Sequence, residues 1–138
     1  MTTTPARLHH VAVQVADLAR AEAFYAGVLG LPVVKRWPGA PGEGDEGGER
    51  SIWVGLGDGA FLALERCAGA PSPEPFRSPR AGLHLVALAI PLAERDAWEA
   101  RLAAHGVAVV HRTDFTLYAL DPEGNRVALS HYPKAMAR

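Results

Sequence analysis

The chain has almost no cysteine. Cys67 stands alone among 138 residues, which excludes an internal disulfide and any multi-cysteine zinc site. It reads first as a small hydrophobe and only second as a reactive thiol. Charge of one sign is missing too. Fourteen Lys and Arg face fifteen Asp and Glu, for a net charge of −1. No basic stripe appears, so nucleic-acid binding is not expected. No apolar run approaches the roughly 18 residues of a membrane span. The segment Met1 to Arg7 lacks the apolar core of a signal peptide, so a cytoplasmic protein without a membrane partner is expected.

What is present is ordinary for a soluble globular domain. Hydrophobic residues make up 49% and charged residues 21%, enough for one core. Leu8 to Val15 reads as a strand, with Val11, Val13 and Val15 facing one side and His10, Ala12 and Gln14 the other. Asp17 is placed as a helix N-cap. Leu18, Ala21, Phe24, Tyr25 and Val28 then recur at helical spacing, and Gly30 and Pro32 end the helix. Leu31 to Trp37 is β-rich. Pro38 to Glu49 holds five Gly, two Pro and four acids in twelve residues and is read as loop. Ser51 to Leu56 and Ala60 to Glu65 are strands joined at Gly57-Asp58-Gly59.

After the Pro-rich segment Ala68 to Arg80 the order begins again. Leu83 to Ile90 is a strand, and Leu92 to His105 a helix with Leu92, Trp98 and Leu102 on its apolar side. Val107 to Arg112, Phe115 to Leu120 and Arg126 to His131 are strands. Asp121 to Asn125 is the tight turn before the last. A shift of 74 places His10 on His84, Leu18 on Leu92 and Phe24 on Trp98. The reading is a single α+β domain over 1–138. Module one (6–67) and module two (81–133), joined by the connector 68–80, are each βαβββ.

Strand parity puts His10 away from the helix, sets His84 with Val86 and Leu88, and sets Glu65 with Phe61 and Ala63. Two imidazoles and a carboxylate that converge form a ligand set for a divalent metal with one position left open. A lone strand His is more often a satisfied core or interface residue than a ligand, and the recurrence of both His at one place in the repeat favours the ligand reading. Arg126 can serve as the partner of Glu65 instead of a metal. His131 shares parity with Val127 and Leu129 and should point away from the pocket. Tyr118 and Ser130 are weaker candidates for a base, so no catalytic residue is assigned. Trp37, Trp53, Phe61, Phe115 and Tyr118 are candidates to stack on a flat ligand, with core packing the commoner role for any one of them.

Four stretches carry a resemblance: Leu-His-His-Val-Ala-Val-Gln-Val-Ala-Asp-Leu (8 to 18), Ala-Phe-Tyr-Ala-Gly-Val-Leu-Gly-Leu (23 to 31), Gly-Leu-His-Leu-Val-Ala-Leu (82 to 88) and Asp-Pro-Glu-Gly-Asn-Arg-Val (121 to 127). With them the chain resembles the vicinal oxygen chelate superfamily of glyoxalase I, extradiol dioxygenases, fosfomycin-resistance transferases and bleomycin-resistance proteins. The resemblance implies a glyoxalase-like fold, in which the two modules form a curved, incomplete barrel, and a homodimer. It implies a metal site at His10, Glu65 and His84 and a pocket lined by Trp53, Phe61, Tyr118 and Ala128. The family's fourth ligand, a Glu four places after the Gly of the turn, falls on Ala128. Two functions follow as expectations. One is a glyoxalase- or dioxygenase-like lyase, isomerase or dioxygenase acting on a small oxygenated molecule through a divalent metal (Zn, Ni, Fe, Mn or Co). The other is a metal-free small-molecule binder of the bleomycin-resistance type, for an aromatic or antibiotic ligand.

Overall fold

The computed structural model describes residues 2–39, 48–68 and 81–137. Most of the expected loop 38–49 and connector 68–80 lies outside these residues. The chain divides into two compact units, Met1–Ala70 and Pro71–Arg138. No helix among the described residues is long and apolar enough to cross a membrane.

In the first unit, β1 (His10–Val15) leads into α1 (Leu18–Glu22), which continues as a π-helical turn over Ala23–Val28. Asp17 caps α1, its side chain accepting from Arg20 N–H at 3.0 Å. The residues singled out by helical spacing, Leu18, Ala21, Phe24, Tyr25 and Val28, are all buried. Then come β2 (Val33–Pro38), β3 (Glu49–Gly57) and β4 (Ala60–Arg66), and the sheet order is β1-β4-β3-β2. β1 runs parallel to β4 and the other pairs are antiparallel. The Gly57-Asp58-Gly59 turn has positive φ at all three residues, which two glycines tolerate without strain.

The second unit repeats this plan: β5 (Val86–Ala89), a 3₁₀ turn (Leu92–Glu94), α2 (Arg95–Ala104), β6 (His111–Arg112), β7 (Thr116–Leu120) and β8 (Arg126–Ser130). Its sheet order, β5-β8-β7-β6, matches that of the first, with β5 parallel to β8. The expected βαβββ repeat and α+β class are therefore both present. β5 and β6 are shorter than expected, because residues 83–85 and 107–110 do not join a ladder. Asp121 sets the turn into β8. Its Oδ1 accepts from the backbone N–H of Glu123 (2.9 Å) and Asn125 (2.8 Å), and its Oδ2 from Asn125 Nδ2 (3.0 Å).

Register corrects the internal alignment by one residue. Gln14 lies opposite Glu65 and Ser51 opposite Glu65 in the first sheet. Ala89 lies opposite Ser130 and Thr116 opposite Ser130 in the second. The strand-end residues Val15 and Ile90, both buried, thus occupy equivalent places. On this frame Val86, Leu88 and Ile90 match Val11, Val13 and Val15. His84 then matches His9, and Leu85 matches His10. The 74-residue shift paired the two histidines by identity. The buried helix residues still match at 74, Ala21 with Arg95 and Val28 with Leu102, so the offset changes between strand and helix.

Candidate functional site

Each sheet has one face turned away from the buried valine and leucine rows. In the first unit this face carries His10, Ala12 and Gln14 from β1, Phe61, Ala63 and Glu65 from β4, and Ser51 and Trp53 from β3. The grouping of Glu65 with Phe61 and Ala63 is the one expected. Rings dominate the face. His10 lies opposite Phe61 and stacks on it, with centroids 4.9 Å apart and planes at 4°. Phe61 stacks on Trp53 at 4.1 Å and 18°, and Trp53 meets Trp37 at 5.3 Å. Lys35 Nζ sits 4.6 Å from the Trp37 ring centroid, a cation–π contact that ends the row. The opposite end is open, because His10 is exposed. His9, which sequence reasoning passed over, places its Nδ1 2.9 Å from that of His10. The adjacent histidine pair was its only signal.

This row also holds polar groups without partners. Trp37 Nε1, Trp53 Nε1 and Ser51 Oγ are buried and make no hydrogen bond among the described residues. A buried donor left in that state costs about 1–3 kcal/mol, so each is a place for an acceptor oxygen.

In the second unit the equivalent face carries Tyr118 opposite Ala128, and Ala128 opposite Ala87. Ala128 is fully buried and offers no donor atom. Arg126, two residues before Ala128, lies over the Tyr118 ring with 4.1 Å to its centroid. Its Nη1 is 3.3 Å from His84 Nε2. In the first unit Phe61, two residues before Ala63, covers Trp53 from the matching position. His131 turns to the opposite side, as its parity implied. It is buried, with Nε2 2.9 Å from Arg95 Nη1 and Nδ1 bonded to the Lys134 carbonyl. It is a structural residue.

On the helix side of the first sheet, Arg36 Nη1 bridges Glu22 (2.6 Å) and Glu49 (3.0 Å). Hydrogen bonds to Glu22, then to Glu49, raise the Arg36 pKa above its ordinary value. This cluster joins α1 to β2 and β3 and takes no part in the ring face.

The donor set fits a divalent ion poorly. His10 is brought to Phe61 and His9, not to Glu65. Glu65 lies four residues further along β4, opposite Gln14, or about 13 Å at the rise of a strand. His84 faces a guanidinium, which can only donate. A fixed positive charge therefore stands beside its Nε2. Within either unit, no group of three His, Cys, Asp or Glu among the described residues gathers for a metal.

Comparison with known proteins agrees with the fold. A profile of the Glyoxalase/Bleomycin resistance protein/Dioxygenase superfamily matches residues 7–129. No curated protein matches. Among solved structures, a glyoxalase/dioxygenase from Nostoc punctiforme is 21% identical, with a TM-score of 0.73 over 97% of this chain and 99% of that one. A lactoylglutathione lyase from Agrobacterium tumefaciens is 27% identical, with a TM-score of 0.65 over 94% and 96%. The fosfomycin resistance protein FosX from Mesorhizobium loti is 18% identical, with a TM-score of 0.68 over 92% of each chain.

Proposed function

Because the chain belongs to the Glyoxalase/Bleomycin resistance protein/Dioxygenase superfamily, we propose that it binds a flat, oxygenated small molecule by ring stacking, without a metal. The row His10–Phe61–Trp53–Trp37 carries this reading. Its open end at His10 offers a π-face on which an aromatic ligand extends the stack, worth about 0.5–1.5 kcal/mol beyond the area it buries. The unpaired donors of Trp37, Trp53 and Ser51 favour a ligand that brings oxygen acceptors. Tyr118 and Ala128 line the corresponding face of the second unit. The test is quenching of tryptophan fluorescence by an aromatic ligand in EDTA. Quenching that vanishes with the chelator would sink the proposal.

The competing reading is the metal enzyme, with an ion at His10, Glu65 and His84. The family resemblance supports it, and Ala128 and Arg126 weigh against it. It requires about one divalent ion per chain in purified protein, lost on His10→Ala or His84→Ala. A homodimer belongs to either reading, and sedimentation at micromolar concentration decides it.

A further inference from the structure

The ring row crosses the first sheet on a diagonal, from His10 on β1 to Trp37 on β2. It leaves one corner of that face without rings. The floor of the corner is Ala12 and Ala63, which lie opposite each other. Past them a line of residues runs across all four strands. Gln14 lies opposite Glu65, Glu65 opposite Ser51, and Ser51 opposite Trp37. Two neighbours in this line lack side-chain partners. Ser51 is 2% exposed, and its Oγ is buried without a hydrogen bond. Glu65 is half-buried, and its carboxylate makes no ion pair or hydrogen bond among the described residues. Residues directly opposite in an antiparallel pair hold their Cβ atoms about 4.5–5.5 Å apart. A carboxylate only accepts hydrogen bonds, whereas a hydroxyl can donate one. The pair thus presents an acceptor beside a donor, next to a floor of two methyl groups. A group that answers both at once carries an N–H beside a carbonyl oxygen. An ester answers only Ser51. A carboxylate brings no donor, and its charge meets that of Glu65.

We infer that Glu65 and Ser51 read an uncharged amide edge on the ligand, Glu65 accepting its N–H and Ser51 Oγ donating to its carbonyl oxygen. This rests on the stacking reading above and adds the polar group that the flat ligand carries. Glu65 sets the specificity of the pair, because it alone tells an amide from an ester.

The probes are naphthalene-2-carboxamide, methyl naphthalene-2-carboxylate and naphthalene-2-carboxylate, all in EDTA. Tryptophan quenching reports their affinities, and the ¹³C-labelled Glu65 carboxyl resonance reports the polar contact. The carboxamide is expected to bind about tenfold more tightly than the ester or the carboxylate, and it alone should move the Glu65 signal. Glu65→Gln should erase the preference for carboxamide over ester. Ser51→Ala should weaken both and leave their ratio unchanged. A Glu65 with a merely structural role would keep that ratio in Glu65→Gln, which overturns the inference. The wild-type comparison stands even if a variant fails to fold. Equal wild-type affinities, or a Glu65 signal that ignores the carboxamide, overturn the inference and leave the stacking reading intact. A moving Glu65 signal without tryptophan quenching does the reverse. No binding of any probe, with Glu65 unmoved, overturns both.

Discussion

His10 lies directly across the parallel β1–β4 pair from Phe61, with the two rings within 4° of parallel. The exposed imidazole is thus one end of a stack whose middle, Phe61, is buried. Phe61→Ala should remove support from both His10 and Trp53. It should cost about 3–5 kcal/mol in guanidinium unfolding and abolish ligand quenching in the protein that remains folded. A loss under 1 kcal/mol would mean that the ring is not packed as described.

Trp53→Leu separates binding from stability. Leucine keeps most of the apolar contact but gives up the indole donor and the flat face. Quenching of the remaining tryptophans by an aromatic ligand should weaken at least about tenfold. Stability should fall by roughly 1–3 kcal/mol. Unchanged affinity would remove Trp53 from the ligand face.

Asp121→Ala tests the turn before β8. Three hydrogen bonds to a buried carboxylate disappear, two of them from backbone N–H groups. The expected loss is about 2–4 kcal/mol, read from chemical denaturation at constant m-value. Asp121→Asn retains an acceptor and should lose less.

Arg95 and His131 form a buried pair, so one should not tolerate loss of the other. His131→Leu leaves a buried guanidinium without its imidazole acceptor and should cost about 3–5 kcal/mol. The double variant Arg95→Met/His131→Leu should recover much of that loss, a coupling that a double-mutant cycle measures directly. Additive losses would mean that the two side chains act independently.

Removing metal should leave the protein unchanged. EDTA dialysis followed by calorimetry is expected to give the same melting temperature as untreated protein. An ion held at one hundred times its Kd would contribute about 2.7 kcal/mol, a shift on the order of 10 °C for a domain of this size. A shift that large would restore the metal-enzyme reading.

Local signals were legible in the sequence, and pairings were not. The spacing of Leu18, Ala21 and Phe24 marked the buried helix face. Asp17 marked the cap, and Gly57-Asp58-Gly59 and Asp121 marked the turns, because each depends on residues within a few positions. Parity likewise grouped Glu65 with Phe61 and sent His131 to the far side. The residue of β4 that meets His10 depends on how two distant strands slide against each other. A slide of two pairs keeps every side chain on its face while changing every neighbour. That is why Glu65 looked like a companion of His10 and Phe61 did not. The same limit hid the one-residue offset that matches His84 with His9. Arg126 was visible as a cation but not as the cover of Tyr118.

Phe61 and Arg126 occupy one architectural slot in two copies of a frame, each 4.1 Å above the ring on the neighbouring strand. A duplicated fold with such a slot can change what it accepts without altering a turn, a helix or a strand pairing. The slot's occupant sets the polarity of its half, and the backbone is indifferent to the choice. Ligand preference in such a protein can therefore drift by single substitutions at two interchangeable positions, at a pace independent of the core that holds them.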